Sequence, residues 1–332
     1  MTLNHCFAVV LSNRPVDHDR CSLNKITRRF SRLDRLANAR EFSTLPSLYS
    51  GNLSYGSKLN VYNLTFAKGR FIIELMVSFS SDRKIQHACF VENRLLVCYE
   101  DSIEIWSNWL GNVRPEQVCS INDNWFAGLH TIFPLGTSRC VVSSSAADAA
   151  MIINLDTKSV VSRLRLPEYL YGFNYDLTES DSLKDHYIVN DLQLGHLNCA
   201  FPDEEQNIWV STLIQGDIGV FDSSERFKKV ISGYVGAHGV RRIKGKNQIY
   251  FSDSCLGVLI IADLHGQIVH RYSTASKWMH DAQHIQDDLF LLGLSDLGRI
   301  VVADVVTGQE QQFPISRGDG YIQFFASMNP SF

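Results

Sequence analysis

Five stretches of this chain repeat one order of short apolar runs and turns, and each opens on a histidine. They are His87-Ala-Cys-Phe, His130-Thr-Ile-Phe, His196-Leu-Asn-Cys-Ala-Phe, His238-Gly-Val-Arg-Arg-Ile and His280-Asp-Ala-Gln-His-Ile. Successive starts lie 43, 66, 42 and 42 residues apart. A period near forty, made of units that cannot bury their own apolar faces, separates radial repeat folds from sandwiches of similar composition.

Inside each unit a first apolar strand is followed by a turn and by a second strand ending in small polar residues, such as Ser143-Ser144-Ser145 or Ser252-Asp253-Ser254. In the last four units a third strand closes on an aspartate, at Asp156, Asp222, Asp263 and Asp304, and a fourth strand follows a turn. Four antiparallel strands per unit make a propeller blade. The chain is therefore expected to be an all-β, six-bladed β-propeller, with five blades as the alternative.

Counting on from His280, a sixth unit begins near residue 320, where one strand, Tyr321 to Met328, remains. Lys58 to Ala67 and Arg70 to Phe79 are strand-like and supply its partners, so both termini share one blade and no sheet edge is left open between them. The expected organisation is an N-terminal extension over residues 1–57 and one propeller domain over 58–332.

Two segments stand outside the repeat. Residues 14–40 hold eight lysines or arginines against three aspartates, with Ile26, Phe30, Leu33 and Ala37 at helical spacing. This predicts a short amphipathic helix, packed on the propeller or serving as a basic arm for a protein partner. The second is an insertion at about 163–192, carrying Tyr169, Tyr171, Phe173 and Tyr175 ahead of the acidic run Glu179 to Asp185. Loops of this length are often lids or binding loops.

Composition narrows the partners. Lysine plus arginine total 31 against 35 acidic residues, a net charge of -4, which gives no global pull toward nucleic acid or an anionic membrane. No apolar run approaches a membrane span or a signal core; Cys6 to Leu11 is the longest near the N-terminus. A cytoplasmic protein is expected. Its eight cysteines include no CxxC pair, and Cys89, Cys98, Cys140 and Cys199 fall in apolar strand-like segments, where a reduced thiol packs as a small hydrophobe.

The innermost strand of every blade borders the axis, so five histidines at like places predict a ring of imidazoles. Neutral imidazole suits a divalent transition metal, with Fe(II) the first expectation and Zn or Cu compatible. His87, His130, His196, His238 and His280 are the expected ligands, and open coordination positions would admit a small-molecule substrate. Asn198, Arg241, Arg242 and Asp281 lie on the same strands, placed to orient a ligand or to hold an anionic group of the substrate. His284 shares a strand face with His280 at a spacing of four. The alternatives are a structural histidine in each blade and a metal-free catalytic histidine.

WD-repeat propellers carry a structural histidine within a Gly-His pair, and Gly195-His196 and Asp304-Val-Val-Thr-Gly308 resemble them. There the histidine precedes the first strand, whereas here His196 is expected to be the first strand residue. His196-x-Asn198 with Val210-Ser211, and His238-Gly-Val-Arg241 with Asp253-Ser254, resemble bacterial arylsulfotransferase-like propellers over roughly residues 85–315. That resemblance implies a histidine nucleophile that takes a sulfuryl group and an arginine that binds it. A likeness of architecture to carotenoid oxygenases implies iron held by inner-strand histidines.

Three function classes follow. One is a metalloenzyme, an oxygenase or a lyase. The second is a group-transfer enzyme with a histidine nucleophile, and the third a non-catalytic interaction module. The chain has no Walker loop, dinucleotide glycine fingerprint, HExxH or GxSxG.

Overall fold

The computed structural model describes residues 4–12, 56–107, 116–167, 183, 195–234, 236–314 and 321–327. Among them, the strands form six antiparallel sheets of four. The first three strands, β1 (Asn4–Ser12), β2 (Ser57–Ala67) and β3 (Arg70–Ser81), belong to blade 1. Blade 2 holds β4 (Ile85–Val91), β5 (Arg94–Tyr99), β6 (Ile103–Ser107) and β7 (Glu116–Ile121). Blade 3 holds β8 (Leu129–Leu135), β9 (Arg139–Ser144), β10 (Ala149–Asn154) and β11 (Ser159–Arg165). Blade 4 is β12 (Leu197–Pro202), β13 (Ile208–Thr212), β14 (Ile218–Phe221) and β15 (Phe227–Ile231). Blade 5 is β16 (Ala237–Arg242), β17 (Gln248–Asp253), β18 (Val258–Asp263) and β19 (Ile268–Ser273). Blade 6 is β20 (Met279–Gln286), β21 (Leu289–Leu294), β22 (Arg299–Asp304) and β23 (Glu310–Pro314). The last strand, β24 (Tyr321–Ser327), returns to blade 1 and pairs with β1.

The strands β4, β8, β12, β16, β20 and β24 touch one another in sequence, and β24 touches β4, so the ring closes. The fold is a six-bladed β-propeller. Burial falls from axis to rim as that geometry requires: β4 is buried throughout, while β19 alternates between half-buried and exposed residues. Each junction between neighbouring blades holds its own apolar cluster, such as Leu64, Leu291 and Ile300 between blades 1 and 6. A fully buried leucine or isoleucine in such a cluster contributes roughly 1.5–3 kcal/mol relative to exposure.

Turn chemistry explains the repeating aspartates. Asp222, Asp263 and Asp304 each accept hydrogen bonds from backbone amides two to four residues on, closing the turn before the rim strand. In blade 3 this work falls to Asn154, which accepts from Asp156 and Thr157, rather than to Asp156.

Blade 1 corrects the expected boundary at residue 58. The run Phe7 to Leu11 is fully buried and forms the second strand, between β24 and β2. A strand covered on both faces carries no alternation of polar and apolar residues, so its sequence reads only as a short apolar run. The helix expected within 14–40 lies outside the described residues. So do most of the insertion and its aromatic side chains. The insertion also begins later than expected, because β11 continues to Arg165.

Candidate functional site

Strand register decides which residues share a level around the axis. In every blade the innermost strand slips by one residue against its neighbour close to its start. Such a bulge bends the strand and re-aims the side chains beside it. The first paired residues are Ile85, Leu129, Leu197, Ala237 and Met279, and each is followed by a polar residue: Gln86, His130, Asn198, His238 and His280. The level is thus a mixed ring of imidazoles and amides. His87 stands one residue further along β4, and His196 one residue before β12.

This corrects the expected ring of five equivalent histidines. The near-regular spacing in sequence conceals a shift of one residue in blade 2 and of two residues in blade 4. His196 is not the first strand residue; it precedes the strand with φ 50 and is buried. Its left-handed backbone turns the chain from the blade 3 connection into β12, where Asp148 accepts from the amides of Gly195 and Leu197.

Four of the five imidazoles meet in two pairs. His130 and His196 lie edge to face with ring centroids 4.7 Å apart, and His238 and His280 lie at 4.9 Å. Trp278 packs on both members of the second pair, at 5.6 and 5.8 Å. His87 is instead against Phe133 at 4.9 Å, a ring that Arg241 covers on blade 5. His130 and His280 keep the most solvent contact of the five, at 8% and 7%.

Electrostatics disfavour a charge on His130. Burial, then the neighbouring His196, Lys84 and His280, hold His130 well below the usual imidazole range. At His238, Nδ1 lies 2.9 Å from the Gly236 carbonyl and 2.9 Å from Ser254 Oγ. A carbonyl only accepts, so Nδ1 carries the proton and the lone pair resides on Nε2. Ser254 is therefore not activated by this ring as a nucleophile would be.

The polar residues expected beside the ring serve the joints between blades. Asn198 donates to the Ala237 carbonyl at 2.8 Å and accepts from Ser211 at 2.6 Å, fastening blade 4 to blade 5. Arg241 donates to Asp281 at 2.7 Å and to the Ala282 carbonyl, fastening blade 5 to blade 6. Burial opposes its charge, but Asp281 more than compensates and keeps the guanidinium protonated. Arg242 points the other way, to Asp203 at 3.4 Å and the Lys246 carbonyl. Adjacent residues of a strand face opposite sides, so the two arginines cannot act on one ligand.

Among the described residues, no group of three or more His, Cys, Asp or Glu side chains is placed to hold a metal ion. The paired rings do not fit the expected multi-histidine centre for Fe(II), Zn or Cu. His284 is turned outward from the site, meeting Phe290 edge to face at 5.1 Å and donating from Nε2 to the Asp287 carbonyl. Trp278, Gly236 and Ser254 were not legible as site residues. Trp278 stands two residues before His280 and Gly236 two before His238, a parallel that gains meaning only once the bulges are known.

No family model matches the chain, and no curated protein is similar to it in sequence. Solved structures resemble it in shape. A chain of a nidogen/laminin complex superposes with a TM-score of 0.59 at 10% identity, over 81% of this chain and 94% of that one. Virginiamycin B lyase from Staphylococcus aureus superposes with a TM-score of 0.51 at 8% identity, over 80% of this chain and 83% of that one. At such identity the likeness is one of fold, and the resemblances to arylsulfotransferase-like propellers and to carotenoid oxygenases extend no further than fold. Among the described residues no helix is long and apolar enough to cross a membrane.

Proposed function

We propose that the end of the axis where the inner strands begin is a small-molecule site, and that His238 is its proton-exchanging group. The observation that carries this reading is the anchoring of His238: its Nδ1 is tied to the Gly236 carbonyl at 2.9 Å while its ring is held between His280 and Trp278. A fixed tautomer with the lone pair on Nε2 is what a general base requires. The reaction class this favours is elimination. Nε2 takes a proton from a carbon of the bound molecule, the electron pair of that bond forms a double bond, and a leaving group departs with its own bonding pair. His280, whose ring lies 4.9 Å from that of His238, is placed to hydrogen-bond the leaving group. A lyase among the structural neighbours shares the fold alone and adds no residue to this argument.

The metalloenzyme reading loses support because the imidazoles pair rather than converge. The sulfuryl-transfer reading loses its arginine, since Arg241 is committed to Asp281 and Arg242 to Asp203. A small-molecule library screened by thermal shift against the wild type and His238→Gln tests the proposal. A ligand at 100 times its Kd stabilises by about 2.7 kcal/mol, a shift of a few degrees, and it should be lost in the variant. Stoichiometric iron, zinc or copper in the purified protein, lost in His130→Ala and His238→Ala, would establish the metal reading instead. Hits that stabilise both proteins equally would sink the role of His238.

A further inference from the structure

Side chains cross the axis of the propeller. Phe133 of β8 meets His87 of blade 2 with ring centroids 4.9 Å apart, and Phe201 of blade 4 at 5.1 Å. The guanidinium of Arg241, on blade 5, lies 5.2 Å from the centroid of the same ring. Blade 4 stands between blades 3 and 5, whose innermost strands each touch β12, so the approach of Arg241 to Phe133 is made across the axis. Arg241 then carries the connection to Asp281 and the Ala282 carbonyl of blade 6. One aromatic ring thereby joins side chains of blades 2, 4 and 5, and through Arg241 it reaches blade 6. Phe133, His87, Arg241 and Asp281 are all buried.

Strand geometry bounds the depth of this crossing. Phe133 follows His130 by three residues. At about 3.3 Å per residue, its Cα lies no more than roughly 10 Å beyond the level of polar groups. The ring also has a reason to stay across the axis, because a buried guanidinium is attracted to the negative face of an aromatic ring.

We propose that Phe133 plugs the axis and is the specificity-determining residue that sets the depth of the small-molecule site. The plug rests on the site proposed where the inner strands begin, and adds that this site has a single mouth. It takes a compact molecule, or the short end of a larger one, and an extended chain cannot thread through the propeller. Arg241 is paired with Asp281, so the two add no net charge to the closed end. What the closed end offers is an aromatic surface, which suits an uncharged, apolar part of the bound molecule.

Diethylpyrocarbonate, a small reagent that modifies neutral imidazole, reads the mouth at His280 and the plug at His87 when the peptides are followed by mass spectrometry. In the native full chain, His280 keeps solvent contact and His87 has none. His280 should therefore react about tenfold or more faster than His87. Phe133→Ala should bring His87 close to the rate of His280, and benzene, which fills the volume of a deleted phenyl ring, should restore the protection. Phe290→Ala removes a ring of the same size from the junction of blades 5 and 6 and should leave His87 slow. Equally fast reaction of both histidines in the wild type overturns the plug and leaves the site to the His238→Gln comparison. Equally slow reaction denies the mouth, and the site with it. A slow His87 in Phe133→Ala, or a fast one in Phe290→Ala, also overturns the plug. Should Phe133→Ala fail to fold, Phe133→Leu and the wild-type rate ratio decide.

Discussion

Asp281 receives Arg241 at 2.7 Å across the junction of blades 5 and 6, and Gly239 makes the approach possible. A Cβ on Gly239 would stand 2.4 Å from Asp281 Oδ1, and its φ of 64 is one that other residues adopt only with strain. Gly239→Ala is expected to cost about 2–4 kcal/mol, from strain and overpacking together. Urea unfolding checks it; a loss under 1 kcal/mol would show that the backbone relaxes.

Arg241→Met and Asp281→Leu should each destabilise by about 3–5 kcal/mol, because each strands one buried charge. The double variant should be more stable than either single one. A double-mutant cycle of unfolding free energies tests this, and additive losses would refute the pairing.

Metal chelation should leave the protein unchanged. With no three ligands converging among the described residues, dialysis against a chelator is expected to move Tm by less than about 1 °C, and added Fe(II), Zn or Cu should give no saturable stabilisation. A chelator-induced drop of several degrees, reversed by one metal, would contradict the described geometry.

Acid should weaken the fold. His130 is held well below the usual imidazole range by burial and then by its neighbours, so unfolding takes up a proton below about pH 6.5. Urea midpoints should fall from pH 7.5 to pH 5, and His130→Gln should flatten that slope. A midpoint that rises on acidification would mean His130 is charged in the folded state.

Thiol reactivity should sort by burial. Burial pushes Cys199 up to about 12, and Cys89, Cys98 and Cys140 rise for the same reason. In native protein at pH 8, iodoacetamide is expected to spare these four and label Cys6, Cys119 and Cys255 faster. Peptide mass spectrometry reads the outcome, and early labelling of Cys140 would contradict the packing between blades 2 and 3.

The blades were readable because each repeats turn residues and apolar runs at a fixed period, and these are local properties. Asp222, Asp263 and Asp304 close their turns with their own neighbours, so their meaning survives without any knowledge of the rest of the molecule. The strand at Asn4–Ser12 was not readable as part of the domain, because its partners lie more than forty residues away on one side and at the other end of the chain.

What the chain's sequence determined alone was the number of blades, the four strands in each, and the sharing of one blade by both ends, all consequences of period and patterning. Only the tertiary structure decided which side chains meet at the axis. The inner strands start at different offsets from their histidines, so an almost regular spacing hides that His87 lies one residue past, and His196 two residues before, the level of the other three. Side-chain direction reverses with every residue along a strand, so offsets too small to notice in a forty-residue period are enough to replace a ring of five equivalent imidazoles with the His130–His196 and His238–His280 pairs and a His87 set against Phe133.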